Sequence, residues 1–213
     1  MKFIPGKLVN QTFLFVLLLG TWVALAGASM AQNQYYVNAS SGNDSNDGSQ
    51  ARPWRTIQHA DAALTVGTSG TCNAGTGWLS VTNAGACVHV ATGTYAGPIT
   101  TNKSGTASAR IVFISDTKWG AKITTINWAI NGSYTDVVGF DGTSASGPNG
   151  YGFGMGGGTS NIHILNNYLH DFDVNTCMQA GVINGAPESN PSHDNLIQGN
   201  VIRHAGSSAT SRL

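Results

Sequence analysis

Two similar segments near the end of the chain each carry side chains that could transfer protons or bind a metal ion. With the segments aligned, His170 lies beside Arg203 and Asp171 beside His204. Asp171 and Asp173 are two residues apart, so on a strand they point to the same face, about 6–7 Å from each other. Carboxylates suit Ca²⁺, an arginine can neutralise a uronate carboxylate or act as a base, and histidine transfers protons. These five residues are the predicted catalytic residues of a β-elimination.

The same residues also fit a simpler interpretation, in which they are solvated outer-face side chains beside turns. A β-elimination needs charge neutralisation at the carboxylate, a base, and help for the leaving oxygen. Residue types for all three are present, but the sequence does not show that they converge. Both interpretations stay open at this stage.

Weaker candidates lie in two loops. Glu188 and His193 belong to a Gly-, Pro- and Asn-rich insertion, which on a repeating scaffold can rim a substrate-binding groove or remain an exposed loop. Asp44 and Asp47 lie in a glycine-bounded turn. Their carboxylates can bind Ca²⁺, the predicted cofactor, or make turns in which an aspartate bonds its own backbone.

The two aligned segments, residues 161–172 and 194–205, each consist of a short apolar run, an asparagine and a second short run. Asn167 and Asn200 mark the middle of each segment, and asparagine tolerates a left-handed bend between strands. Strand alternation would turn Ile162, Ile164 and Leu169 to one side.

Short strands recur along the chain at a nearly constant spacing. Val90, Ile114, Val138 and Ile164 follow one another at 24, 24 and 26 residues, and Ile197 follows 33 residues later. The extra length falls in the inserted loop. This pattern predicts coils that stack into a solenoid.

Residues 54–64 have apolar side chains at helical spacing, which predicts a short amphipathic helix that caps the first coil. Residues 66–86 are predicted to form a loop closed by a disulfide between Cys72 and Cys87. Cys177 is left over, either as a buried small side chain or with a partner elsewhere.

Residues 1–31 have the pattern of a secretory signal peptide, with two lysines, an apolar run and Ser29-Met30-Ala31 before the cleavage point. An uncleaved membrane anchor is the alternative, although the run is short for it. Cleavage leaves one domain, residues 32–213, that is secreted and has no stable membrane insertion. Its 8 basic and 10 acidic residues give no basic surface for nucleic acid. Tyr134, Tyr151 and Trp128 are candidates either for stacking on sugar rings or for packing.

Several motifs resemble one family. These motifs are Tyr35-Tyr36-Val37, Gly42-Asn43-Asp44, Gly48-Ser49, Pro53-Trp54, Thr56-Ile57-Gln58 with Ala60, and residues 89–95, HVATGTY. With them, the sequence resembles secreted bacterial right-handed parallel β-helix proteins, the pectin-lyase-like superfamily, over most of residues 35–206.

The resemblance implies an all-β fold, a right-handed single-stranded parallel β-helix solenoid with a short N-terminal capping α-helix. It also implies polysaccharide as the partner, and we expect a monomer. The sets of calcium-binding aspartates and the lysine or arginine base of the family's lyases do not map onto this sequence. Because no closing cap is recognisable before Leu213, we also expect a C-terminally truncated solenoid.

Two functions follow from these observations. The first is a secreted, carbohydrate-active protein, similar to a polysaccharide lyase, that acts on acidic uronate polysaccharide. The second is a non-catalytic surface or carbohydrate-binding β-helix, which fits the missing catalytic motifs. Fold resemblance alone does not choose between them.

Overall fold

The computed structural model describes residues 32–143, 151–172, 182–184 and 189–205, with backbone only for 182–184 and 204–205. The predicted signal peptide, Asp173, Cys177 and Glu188 lie outside the described residues. In the described part, helix α1 spans Ile57–Ala63. The strands are β1 Asn33–Val37, β2 Gly70–Asn73, β3 Ser80–Val90, β4 Gly93–Ala96, β5 Ile99–Thr101, β6 Arg110–Ser115, β7 Ala121–Thr124, β8 Trp128–Ile130, β9 Thr135–Val138, β10 Asp141–Thr143, β11 Phe153–Met155, β12 His163–Leu165, β13 Tyr168–Phe172, β14 Val182–Asn184, β15 Leu196–Gln198 and β16 Val201–Ala205.

The strands form three parallel sheets by a simple rule. Every strand from β3 to β13 pairs in parallel with the third strand after it. Sheet A has the order β1-β3-β6-β9-β12-β15, sheet B the order β4-β7-β10-β13-β16, and sheet C the order β5-β8-β11-β14. Three strands and their turns therefore make one circuit of the chain, an arrangement compatible with a parallel β-helix.

The core consists of inward rows that run across the sheets. In sheet A, Phe113, Val137 and Ile164 pair in register and are fully buried. In sheet B, Ile123 and Leu169 are fully buried, and both pair in register with Gly142, which lies between them. The alternation that predicted this burial is set by the two-residue repeat of a strand. The predicted common orientation of the three apolar residues in the first aligned segment is confirmed.

Asparagines occupy the bend between sheets A and B, as predicted. Asn167 is fully buried, and its side-chain oxygen accepts a hydrogen bond from the Phe140 N–H at 2.9 Å. Its Nδ2 donates to the Val137 carbonyl and to Asn200 Oδ1, both at 3.0 Å. The expected left-handed conformation is wrong for Asn167 and Asn200. The left-handed conformation occurs instead at the residue before each asparagine. The backbone turns at that residue, so the asparagine side chain can hydrogen-bond toward the interior.

The capping helix is shorter than predicted. Residues 54–64 were the expected helix, but Trp54 pairs with Val37 in an isolated β-bridge, so the helix begins at Ile57. Thr56 is the N-cap, and its side chain accepts a hydrogen bond from the His59 N–H. The helix packs against β1 and β5 at the end of the sheets.

The prediction of a loop over residues 66–86 is wrong. Strand β2 pairs antiparallel with the first half of β3, because alternate residues around Cys72 and Ala74 are apolar and turn onto sheet A. The Cys72–Cys87 disulfide is confirmed, with a Cα–Cα distance of 5.3 Å. This hairpin covers part of the outer face of sheet A with a second apolar cluster that includes Val112 and Ile114.

No helix in the described residues has the length and apolarity needed to cross a bilayer.

Candidate functional site

Sheet B carries acidic, basic and aromatic groups together on its outer face. Since Ile123 and Leu169 point inward, the residues on either side of them point outward. The register places them in two rows, which we call the sheet B outer face: Lys122, Asp141, Tyr168 and Val201 in one, and Thr124, Thr143, His170 and Arg203 in the other.

His170 lies at the centre of this face, between two carboxylates. Its Nε2 is 2.7 Å from Asp141 Oδ1, and its Nδ1 is 2.7 Å from Asp171 Oδ2. Because each oxygen is an acceptor, the arrangement favours a ring that carries both protons. Burial lowers the pKa of His170, but the hydrogen bonds to Asp171 and Asp141 outweigh it, so the pKa is raised.

An irregularity in β13 brings Asp171 to the histidine. The register pairs His170 with Arg203, as the sequence alignment predicted, and resumes at Phe172 with Ala205. Asp171 falls between these pairs in a left-handed conformation with φ of 55°. The register is the same on both sides of Asp171, whose carboxylate bonds the imidazole of His170.

An aromatic series continues from the histidine. The Tyr168 ring stacks on His170 with 4.4 Å between ring centres, and Trp119 lies 5.3 Å from Tyr168. Trp119 Nε1 donates to the Asn166 carbonyl at 2.7 Å, which holds the indole in place. Lys118 Nζ lies 4.6 Å from the centre of the Trp119 ring. All three rings are half-buried and leave part of their surface to solvent.

Sequence reasoning missed both Asp141 and the aromatic series. Asp141 precedes its register partner Tyr168 by 27 residues, so applying the coil period backwards from β13 could have found it. Trp119 lies in a turn and has no periodic signal. Trp128, one of the residues considered for sugar stacking, is fully buried and packs against Phe113 and Phe140 in the core.

A second charged group lies on the outer side of sheet A. Asp136 is fully buried, and Arg110 Nε donates to both of its carboxylate oxygens, at 2.9 and 3.1 Å. His163 Nδ1 lies 3.0 Å from Asp136 Oδ1. The Arg110 guanidinium also donates to the Asn161 carbonyl and lies over the Tyr134 ring. Removal of the arginine alone would leave a buried charge uncompensated, so the group constrains how β6, β9 and β12 lie beside one another.

Of the remaining predicted catalytic and substrate-binding residues, the structure describes the side chains of His193 and Arg203. His193 forms a β-bridge with Ser160, and its side chain pairs with Asp194 at 2.8 Å. Arg203 is exposed on the last strand of sheet B. Glu188 and Asp173 lie outside the described residues, as does the side chain of His204, so their predicted roles stay predictions.

The predicted calcium residues make turn contacts. Asp44 Oδ1 accepts from the Arg55 and Thr56 N–H groups, and Asp44 Oδ2 accepts from Thr56 Oγ1. Burial raises the pKa of Asp44, but the hydrogen bonds from Thr56 and Arg55 outweigh it and lower the pKa. Asp47 accepts from the Ser49 N–H at 3.0 Å. Asp47 thus makes a local turn contact, whereas Asp44 binds the chain just before helix α1, and calcium binding there stays a prediction.

No protein-family model matches the sequence, and a search of curated proteins finds no match. Solved structures do match. A GH136 lacto-N-biosidase from Eubacterium ramulus aligns with a TM-score of 0.54 and 13% identity, over 81% of this chain and 34% of that one, in native and selenomethionine forms. A rhamnogalacturonan lyase aligns with a TM-score of 0.48 and 18% identity, over 80% of this chain and 50% of that one. The likeness is one of fold. The chain spans half or less of the length of these structures.

Proposed function

We propose that the chain is a secreted right-handed parallel β-helix that acts on acidic polysaccharide at the sheet B outer face. The parallel pairing of each strand from β3 to β13 with the third strand after it supports the β-helix. A right-handed path is the expected one, because crossovers between parallel strands of a sheet are right-handed in nearly all proteins. The disulfide fits an oxidising extracellular compartment.

One observation carries the function: His170 lies between two carboxylates, at the end of an aromatic series and beside Arg203. Aromatic faces such as Tyr168 pack on the apolar sides of sugar rings. Arg203 lies on the strand next to His170, and Lys122 lies two strands away on the same face, so both can pair with uronate carboxylates. A polysaccharide that lies along this face would meet binding, neutralising and proton-transfer groups together.

The proposed reaction is a β-elimination. Arg203 pairs with the uronate carboxylate, which makes the neighbouring C5 proton more acidic. The exposed Asp171 carboxylate takes that proton, the C5–H electrons form the C4–C5 double bond, and the C4–O bond breaks. The protonated His170 gives its proton to the departing oxygen. The 2.7 Å hydrogen bond between Asp171 and His170 then offers a route for the proton to return.

The test uses residues 32–213 with pectate and alginate, with and without Ca²⁺, and follows the ultraviolet absorbance of unsaturated uronate. We expect His170→Gln to lower kcat by about 10²- to 10⁴-fold, the usual contribution of general acid–base catalysis. His59→Ala, on the capping helix, is the matched control and should keep the wild-type rate. Wild-type protein that produces no unsaturated uronate would refute the elimination, as would full activity in His170→Gln.

A non-catalytic carbohydrate-binding function is the second candidate. The Trp119–Tyr168–His170 series favours it, because stacking on sugars requires no proton transfer. It predicts polysaccharide binding without turnover, which Trp119→Ala weakens and His170→Gln leaves nearly unchanged. New reducing ends without unsaturated product would instead indicate hydrolysis.

A further inference from the structure

The three sheets each end in an edge strand near the capping helix, and each edge strand has a different neighbour. The edge at β1 is joined by the Val37–Trp54 bridge. The edge at β5 is covered by Gln58 of the helix, whose side chain bonds both the N–H and the carbonyl of Thr100. The edge of sheet B, at β4, instead faces a cavity of about 310 Å³ between that strand and residues 55–58. Small-ligand sites occupy roughly 300–1,000 Å³, so the cavity could hold one or two sugar rings.

The hydrogen-bond pattern shows which groups of β4 face this cavity. Gly93 N–H donates to Gly120, and Gly97 N–H donates to Thr124, so this set of alternate residues bonds toward β7. Successive residues of a strand direct their N–H and C=O groups to opposite sides, so Thr94 and Ala96 direct theirs toward the cavity. No described residue hydrogen-bonds these backbone groups. The cavity wall therefore presents two free N–H donors and two free carbonyl acceptors.

Arg55 adds a positive charge to the same cavity. Its side chain is exposed and forms no hydrogen bond or ion pair with another described residue. Its backbone N–H is held by Asp44 at 2.8 Å, which fixes where the side chain starts. A ligand that fits these groups has hydroxyls that both donate and accept, and a carboxylate for the guanidinium. A uronic acid unit of a saccharide has both.

The cavity and the proposed site share one row of residues on sheet B. Thr94 begins the row that continues through Lys122, Asp141 and Tyr168. Strand β4 is three strand spacings from β13, about 14 Å at 4.7–4.9 Å for each spacing. We propose that the cavity beside β4 is a distal subsite for an acidic sugar of the polysaccharide that lies on the sheet B outer face. This inference rests on the proposed function, and it adds the requirement that the saccharide be long enough to reach from β13 to the cavity.

The experiment measures binding of oligogalacturonates of graded length by calorimetry. Arg55→Ala should weaken the longest oligosaccharides about tenfold, the effect of losing one hydrogen bond to a charged group. Carboxyl-reduced oligosaccharides should bind both proteins alike. Arg52→Ala is the matched control, because Arg52 is exposed and pairs with Asp47 outside the cavity. Amide NMR shifts of Thr94 and Ala96 should follow the binding of the long oligosaccharides.

The outcomes separate this subsite from the proposed reaction. Turnover of polymer with unmoved Thr94 and Ala96 amides, and with wild-type affinity in Arg55→Ala, would refute the subsite alone. Shifts at those amides that depend on Arg55, in a protein that produces no unsaturated uronate, would refute the elimination and keep the subsite. No binding of any oligogalacturonate, in a protein that produces no unsaturated uronate from pectate or alginate, would overturn both.

Discussion

Replacement of Asn167 by alanine is the most direct test of how the coils hold the candidate site. Asn167 precedes Tyr168 and His170 on β13, and its side chain joins three coils. Without the amide, the Phe140 N–H loses its partner in a part of the core that water does not reach, and the Val137 carbonyl keeps only its bond within sheet A. An orphaned buried group costs about 1–3 kcal/mol, and the loss of an ordinary hydrogen bond about 1 kcal/mol. We therefore expect Asn167→Ala to lower the free energy of unfolding by about 2–4 kcal/mol.

Asn200→Ala is the matched control in the same ladder. Asn200 accepts from the Asn167 N–H at 2.8 Å and donates to the Ile164 carbonyl at 2.7 Å. It is only half-buried on the last rung, so water can replace these bonds in part. We expect a loss of about 1–2 kcal/mol, near the net value of ordinary hydrogen bonds.

Urea unfolding of residues 32–213, followed by tryptophan fluorescence, measures both variants. The midpoints should fall without a large change in slope if the unfolded states are alike. Asn167→Asp is a further test, because it places a carboxylate oxygen beside the Val137 carbonyl oxygen, and both atoms are hydrogen-bond acceptors. Burial would favour the neutral acid, so this variant should lose stability as pH rises. A cost for Asn167→Ala no larger than that for Asn200→Ala would refute the reasoning.

Three further predictions concern the disulfide, His170 and the Arg110–Asp136 pair. Reduction of the disulfide, which joins cysteines 15 residues apart, should cost about 3 kcal/mol of stability, visible as a lower urea midpoint; an unchanged midpoint would contradict it. The raised pKa of His170 should stabilise the fold fully below the ordinary histidine pKa, and this stability is lost as pH rises through the folded-state pKa. Asp141→Asn should lower that pKa in an NMR titration, and an unshifted titration would exclude the contact. Arg110→Met should lower the free energy of unfolding by about 3–5 kcal/mol, because it leaves the buried Asp136 carboxylate without the guanidinium. Adding Asp136→Leu should recover most of this loss. If the double variant recovers no stability, the ion pair is not the cause.

The strand positions were largely predictable because they depend on local alternation. Val90, Ile114 and Val138, whose spacing predicted the repeat, lie in β3, β6 and β9. The hairpin at β2 was missed because its apolar residues are few and lie among glycines and threonines. The helix boundary was missed because Trp54 has a bridge partner in Val37, which is a tertiary contact.

The candidate site was only half predictable. Aligning the two segments placed His170 beside Arg203 correctly, because both belong to the same pattern of strand and asparagine. The approach of Asp171 to His170 depends on a left-handed residue inside β13, where no pattern in the sequence indicates an irregularity. Asp141 comes from the preceding coil, whose strands β10 and β11 are separated by a stretch without a repeating pattern.

The sequence by itself determined the spacing of strands and the side chains that face inward, because alternation and apolar burial act over a few residues. Only the tertiary structure decided which outward side chains become neighbours. Parallel pairing brings residues of successive coils to within about 5 Å, so Asp141 reaches His170 although 29 residues separate them. That register depends on the length and geometry of each turn, which hydrophobic spacing does not specify.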